Sequence, residues 1–328
     1  MGSEVRFDGR KAAVTGAGGF IGNAVCRRLA AEGAHVVGID RVAEVAARVN
    51  DASAVFAEAD VCDRDALEAA LEGSQLVVHA AALVHEWGPM EDSVRVNVAG
   101  TANVLDAARA AGAERVVHIS SVVVYGYHDR SEQGETTHRR VYGIPYIDTK
   151  SASDRLACRR NAIVIRPGDV YGPGSVPWTL RPLEMARSGQ LAVPGGDGRM
   201  LPLYIDDLVE AVLVALETAE PGEAYAVWDD TTKVTFEEHF NRLAQIVGGR
   251  EARRVPRRIL ELTGSAMERW ARLRGKAPPF AAASATFIDR RGTVSTRKAR
   301  DELGWEPRVP YAEGMRRTEK WLRSEGLA

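Results

Sequence analysis

Lys11-Ala-Ala-Val-Thr15, then Gly16-Ala-Gly-Gly-Phe-Ile-Gly22, and later Val36-Val-Gly-Ile-Asp40 decide how this chain is read. The first run is short and apolar, as a strand buried on both faces is. After Gly22, residues Ala24, Val25, Leu29 and Ala30 recur at helical spacing, and Gly33 stops the helix. Val36 to Ile39 reads as a second buried strand, closed by Asp40. The glycines therefore stand at a strand-to-helix turn inside a β-α-β unit. There Gly16 permits the turn, Gly19 lets backbone approach a pyrophosphate, and Gly22 lets helix pack on strand. Gly18, Gly19, Phe20 and Ile21 open the helix, whose free N–H groups and positive dipole end suit phosphate.

Asp40 lies eighteen residues after Gly22, at the end of the second strand. A carboxylate there accepts both ribose hydroxyls of an adenosine and repels a 2′-phosphate, which points to NAD rather than NADP. Arg41, beside it, is the group that would pair with a phosphate.

The alternation continues. Ala54 to Ala57 lead to Asp60-Val61, a third strand, and Asp63 caps a helix to Leu71. Leu76–His79, Val116–Ile119 and Ala162–Ile165 are further strands, and a long helix is expected over Val94–Ala111. Such regular alternation gives an α/β, doubly wound parallel sheet with helices on both faces and its ligand at the strand carboxyl ends. Past Arg166-Pro167-Gly168 the pattern loosens. Helices are expected over Trp178–Ser188, Asp206–Leu216 and Phe236–Val247, and a strand over Glu223–Trp228. Residues 1–166 with about 200–228 are read as the nucleotide-binding domain. Residues 167–199 and 229–328 are read as a smaller, partly interleaved substrate region. The basic run Arg250–Arg258 is read as a solvated face.

At 328 residues, 45% apolar and 27% charged, the composition is that of a globular protein with a sizeable core. A net charge of −2 gives no electrostatic case for nucleic acid. No apolar run approaches a membrane span or a signal peptide, and the three scattered cysteines fit a reducing cytoplasm. The seven histidines show no metal-ligand spacing, so no metal is expected.

Tyr146 and Lys150 stand four apart in Tyr-Ile-Asp-Thr-Lys, and Ser121 lies twenty-five residues before the tyrosine. An ammonium one helical turn from a phenol favours phenolate and lowers a pKa otherwise near 10. A serine hydroxyl opposite can hydrogen-bond a substrate oxygen as alcohol or as carbonyl. This set performs hydride transfer at a secondary carbon: Tyr146 moves the proton, Lys150 tunes it, Ser121 positions the oxygen, and NAD takes or gives the hydride.

These residues resemble the extended short-chain dehydrogenase/reductase family, part of the NAD-dependent epimerase/dehydratase superfamily, over nearly the whole chain. The matching segments are Thr15–Gly22, Asp60-Val61, His79-Ala-Ala, Asn97–Thr101, Ser120–Gly126, Tyr146-x-x-x-Lys150, Arg166–Pro173, Asp206-Asp207 and Leu303-Gly-Trp-x-Pro307. The resemblance implies a Rossmann sheet and puts the catalytic serine at Ser121, four before the tyrosine of Tyr125-Gly126. It puts Asp60 and Val61 at adenine, and Ala80, Ala81, Ala82, Pro167 and Gly168 along the cofactor. It gives Asn97 the support of the active-site helix and a proton relay. It also implies a homodimer through helices Val94–Ala111 and Tyr146–Arg159. His79–Trp87 with Gly88-Pro89, and the tail segments Lys276–Phe280 and Arg291–Lys298, look most like the 3β-hydroxysteroid dehydrogenase-like branch.

Two enzyme readings and one binding reading follow. The first is an NAD-dependent dehydrogenase or ketoreductase for a bulky cyclic, sterol-like or natural-product substrate. Its pocket would be drawn from His85, Trp87, Met90, Val122, Asp169, Val170, Trp178, Leu180, Arg199 and Leu201. The alternative is a nucleotide-sugar epimerase with tightly held NAD, Arg181, Arg187 and Arg199 taking the diphosphate. A 4,6-dehydratase would want an acid beside the serine, where Val122 and Val123 stand. A non-catalytic NAD sensor would not need the serine, tyrosine and lysine together.

Overall fold

The computed structural model describes residues 6–84, 87–126, 132–134, 141–274 and 281–328. His85 and the Lys276–Phe280 segment lie outside the described residues.

The opening strand β1 (Lys11–Thr15) is central because its side chains are apolar or small on both faces, and Ala12, Ala13 and Val14 are wholly buried. Helix α1 (Phe20–Ala31) buries Val25, Cys26 and Leu29. It ends where Gly33 takes φ +86°, a conformation a side chain would strain. The chain then forms β2 (His35–Asp40), β3 (Val55–Glu58), α2 (Arg64–Leu71) and β4 (Leu76–His79). Asp63 accepts from the Ala66 N–H and caps α2 as expected.

The next helix starts earlier than its apolar pattern predicts, at Met90, where Pro89 sets the entry and Glu91 and Asp92 favour the first turn. Val94–Ala99 is one widened π turn, and α3 (Gly100–Ala110) continues it. Then come β5 (Arg115–Ile119), α4 (Pro145–Arg159), β6 (Ile163–Pro167) and β7 (Asp169–Tyr171).

The principal sheet has seven parallel strands, with Ala224–Val227 on one edge, then β6-β5-β4-β1-β2-β3. Strand order reverses between β1 and β4, whose ends are level because Thr15 pairs with His79. The crevice above that point is where such sheets bind ligands.

The rest of the chain builds a smaller layer. It contains α5 (Arg181–Ser188), β8 (Pro202–Tyr204), which pairs with β7, and α6 (Ile205–Thr218), which returns to pack on α1. After the edge strand β9 (Ala224–Val227) come α7 (Phe236–Ile246), α8 (Arg257–Arg274) and α9 (Ala282–Ile288). Sequence periodicity gave no element for α8 or α9. The face that α8 turns inward carries Leu260, Gly264 and Ala271, while larger apolar residues such as Leu262 and Leu273 point outward. The Leu-Gly-Trp-x-Pro tail is a fastening: Trp305 donates to the Asp207 carbonyl at 3.0 Å, and the Asp207 carboxylate accepts the N–H groups of Arg308 and Val309. Among the described residues no helix is long and apolar enough to cross a membrane.

Candidate active site

The glycine turn is crowded where the sequence has no side chain. A Cβ on Gly16, which has φ +70°, would stand 2.8 Å from the Ala81 backbone, and one on Gly22 would stand 2.1 Å from the Gly16 carbonyl. Gly22 therefore lets α1 close on the turn itself. Gly18 faces Val45, only 2.4 Å from a built Cβ. The N-cap of α1 is Gly19, which supplies no side-chain cap. The first-turn N–H groups are thus left for an external anion, with Phe20 and Ile21 half-buried beside them. Asp40 folds back onto this turn. Its carboxylate accepts the Gly18 N–H at 3.0 Å and the Val42 N–H at 3.2 Å. Arg41 is exposed and makes no ion pair among the described residues.

The far walls are equally tight. Asp60 accepts the Cys62 N–H at 2.8 Å, and Val61 is buried against Gly100. Ala80, Ala81 and Ala82 are half-buried, with the Ala80 N–H bonded to the Thr15 carbonyl at 3.2 Å. Pro167 is buried, and Gly168 has no room for a side chain, because a Cβ would stand 2.3 Å from the Leu201 carbonyl. Uncapped N–H groups, a carboxylate at the second strand end and alanine walls fit a dinucleotide. NAD would be held by Gly16–Ile21, Asp40 and Ala80–Ala82.

Helix α4 carries Tyr146, half-buried, and Lys150, buried to 4% exposure one turn on. The Lys150 ammonium donates to the Ile119 carbonyl at 2.8 Å. Burial lowers its pKa from 10.5 to about 8, against the attraction of Asp154. The two adjacent serines divide their work. Ser120 donates to Asp154 at 2.7 Å, while Arg166 grips the same carboxylate with Nε at 2.8 Å and Nη2 at 2.9 Å. Arg166 also donates to the Tyr125 hydroxyl at 2.8 Å. Among the described residues Ser121 Oγ only accepts the Val123 N–H, at 3.3 Å, leaving its own proton to direct.

Asn97 sits in the widened turn, 2% exposed, with its amide fully used. It accepts the Leu83 N–H at 2.7 Å and donates to the Leu83 carbonyl and to Thr149, both at 3.0 Å. It thus ties the loop after β4 to α4. Behind it runs a chain the sequence reading missed. Thr101 donates to the Asn97 carbonyl at 2.7 Å, so it must accept from His79 Nε2 at 3.0 Å. His79 Nδ1 then accepts from Thr15, at 2.7 Å. Burial lowers the His79 pKa to about 3 and that of neighbouring His118 well below its ordinary value, so both imidazoles are neutral. Among the described residues His118 makes no hydrogen bond with either ring nitrogen, and its ring centroid lies 5.1 Å from that of His79. No sequence signal distinguishes these from ordinary strand histidines.

A cleft of about 500 Å³ opens at the N-terminal end of α4, lined by Trp87, Met90, Ile144, Pro145, Glu261 and Glu268 among others. Trp87 is the member of the described substrate candidates that lies on its wall, joined by Met90. Asp169, read as a substrate contact, has another occupation: it is 2% exposed, paired with Arg290, and accepts the Leu201 N–H at 2.8 Å. Its burial raises its pKa, opposed by Arg290. Trp178 joins Phe236 and Phe287 in a three-ring cluster, its ring centroid 5.4 Å from each and theirs 5.5 Å apart. Val122 and Val170 are buried. The Arg199 N–H donates to the Arg290 carbonyl at 2.7 Å and its carbonyl accepts from Arg290 Nε at 3.3 Å, while Arg187 donates to the Leu327 carbonyl at 2.6 Å. Arg181, Arg187 and Arg199 are absent from the cleft wall. Among the described residues no group of His, Cys, Asp and Glu is placed to hold a metal.

A sequence model of the NAD dependent epimerase/dehydratase family matches residues 12–228. The chain is 31% identical to a 2-alkyl-3-oxoalkanoate reductase of Stenotrophomonas maltophilia, over 94% of this chain and 98% of that protein. It is 28% identical to a UDP-glucose 4-epimerase of Mycolicibacterium smegmatis, over 95% and 98%. The crystal structure of gox2253 superposes with a TM-score of 0.78 at 27% identity, covering 96% of this chain and 98% of that one. The glycine turn, the strand order and these likenesses agree: the chain belongs to the NAD-dependent epimerase/dehydratase family, and is an NAD-dependent enzyme of the extended short-chain dehydrogenase/reductase type.

Proposed function

We propose that the protein interconverts a secondary alcohol and a ketone on a bulky, uncharged, largely apolar substrate, with Tyr146 as general acid and base. The observation that carries this reading is the cleft beside Pro145. Its wall is apolar apart from Thr286 and two carboxylates, and no cation lines it among the described residues. Glu261 is paired with Arg257 at 3.3 Å, but Glu268 has no cationic partner among the described residues; it accepts the Ala282 N–H at 2.8 Å. A diphosphate or a free carboxylate there would meet a like charge, at about 1–4 kcal/mol per pair at contact distance. The sugar-nucleotide reading also lacks its arginines, since those expected to hold the diphosphate lie elsewhere. A neutral ring system, sterol-like or a polycyclic natural product, fits better.

Bound NAD supplies the hydride acceptor or donor. Tyr146 gives or takes the proton at the substrate oxygen, and Lys150 stabilises its phenolate. Ser121 directs its hydroxyl at the same oxygen. Ser120 cannot share that task while it is held by Asp154. Asn97 keeps the loop after β4 and α4 in register. Residues 1–166 with about 200–228 serve as the cofactor-binding unit, and 167–199 with 229–328 as the substrate unit. β9 supports that division by joining the large sheet, as α8 and α9 do by walling the cleft. A homodimer through the helices of 94–111 and 145–159 completes the proposal.

The test has two parts. Denaturing the purified protein and assaying released NAD distinguishes a freely exchanging dehydrogenase from an epimerase that retains its cofactor. NADH oxidation is then followed with bulky cyclic ketones and, in parallel, conversion of UDP-glucose. Tyr146→Phe should lower ketone turnover by about 10²–10⁴ with NAD affinity unchanged. Retained stoichiometric NAD with conversion of the sugar nucleotide alone would overturn the reading.

A further inference from the structure

Helix α8 (Arg257–Arg274) is held by its inner face only. Leu260, Gly264 and Ala271 are buried, and Gly264 lies so close to α9 that a Cβ would stand 2.6 Å from the Ala282 nitrogen. The outer face carries Ile259, Leu262, Ala266, Trp270 and Leu273, a 3-4-4-3 spacing that keeps them on one stripe. Their exposure is unusual for such residues: 52% for Ile259, 72% for Leu262, 50% for Trp270 and 87% for Leu273. Arginines border the stripe. Arg258 and Arg269 are exposed along one side, and Arg274 on the other stacks its guanidinium 4.5 Å over the Trp270 ring. None of the three pairs with an acid among the described residues. The carboxylates of the helix, Glu261 and Glu268, face the opposite way, into the cleft.

We propose that α8 is a peripheral docking face for an anionic lipid surface, lying in the interface plane with its leucines and Trp270 among the acyl chains and its arginines at the headgroups. The pattern is that of an interfacial amphipathic helix: an apolar stripe with an aromatic, cations at its borders and acids only on the far side. Charge complementarity selects this occupant over a second copy of the chain. A two-fold contact through the stripe would set Arg258, Arg269 and Arg274 against their own counterparts, and like charges oppose that pairing. The inference is independent of the substrate proposed above.

The experiment is flotation of the full chain on a density gradient. One sample carries vesicles of phosphatidylcholine and phosphatidylglycerol in equal parts, the other vesicles of phosphatidylcholine alone. The protein should float with the anionic vesicles at low ionic strength, be released as salt rises, and remain behind with the neutral ones. The double variants Leu262→Glu with Leu273→Glu, and Arg258→Glu with Arg269→Glu, should each weaken flotation at least about tenfold. All four positions are exposed, so thermal melting and NAD binding should be unchanged. Failure of the wild type to float at low salt would overturn the proposal, as would flotation that both variants preserve. Light scattering that shows a stripe-dependent dimer would overturn it too, by giving the face to a second copy.

Discussion

Acidification should unfold this protein through three buried imidazoles. Burial lowers His79 to about 3 and His239 to about 4, the latter opposed by its bond to the Trp178 carbonyl. Burial also puts His118 well below its ordinary value, helped by the positive charge of Lys150. Each group has a folded pKa beneath the unfolded value of 6.5, so the unfolded chain binds the extra proton. Stability is therefore full above that value and is lost as pH falls from it toward the folded pKa. One unit below it, an unfolded imidazole is about nine-tenths protonated and a folded one almost bare. The loss relative to neutral pH is then roughly 1.3 kcal/mol per group, on the order of 4 kcal/mol for the three. The assay is urea unfolding of the cofactor-free protein, followed by tryptophan fluorescence across this range. His118→Leu isolates one share, because carboxylates titrate alike in both proteins. It should remove about a third of the histidine-linked loss and, by deleting two unpartnered buried nitrogens, raise neutral stability by about 1–2 kcal/mol. A variant with the wild type's pH dependence, or a less stable one at neutral pH, would refute the argument that His118 is an unsatisfied, unprotonated group.

The remaining predictions concern the site. Lys150, at about 8, should impose a descending alkaline limb on kcat/KM in the direction of ketone reduction; a profile flat well beyond that pH would remove its charge from the mechanism. Ser121→Ala should cut turnover by about 10² or more with a near-native melting temperature. Ser120→Ala should cost about 1–3 kcal/mol of stability while each folded molecule stays active, and reversed phenotypes would exchange the two assignments. Asp40→Asn removes the charge that repels a 2′-phosphate and, with one accepting oxygen in place of two, keeps one of the turn's two hydrogen bonds, so the ratio of NADP to NAD affinity should rise about tenfold. An unchanged ratio would show that Asp40 does not select the cofactor.

What could be read early has a local cause. β1, α1 and β2 follow from side-chain period within a few residues, and the glycine turn from backbone shapes that only glycine tolerates. Tyr146 and Lys150 share a face of α4 because they are one helical turn apart. Helix starts were less legible. The chain enters the helix before α3 at Met90, because Pro89 and two acids decide the start and the apolar stripe does not. The partner of Asp169 was not legible either, since a lone acid in a loosened region gives no sign of Arg290, 121 residues away.

The sequence by itself determined the β-α-β opening, the carboxylate that closes its second strand, and the tyrosine-lysine pair, each written in spacings shorter than about twenty residues. Tertiary structure alone decided which of two adjacent serines is free, through Asp154 and Arg166 meeting behind α4. It also decided that His79 links the glycine turn to Asn97, and that α8 and α9 wall a cleft at Pro145. These are pairings of groups far apart in the chain. Their partners are chosen by burial, where every polar group must find a bond, and no local pattern encodes that choice.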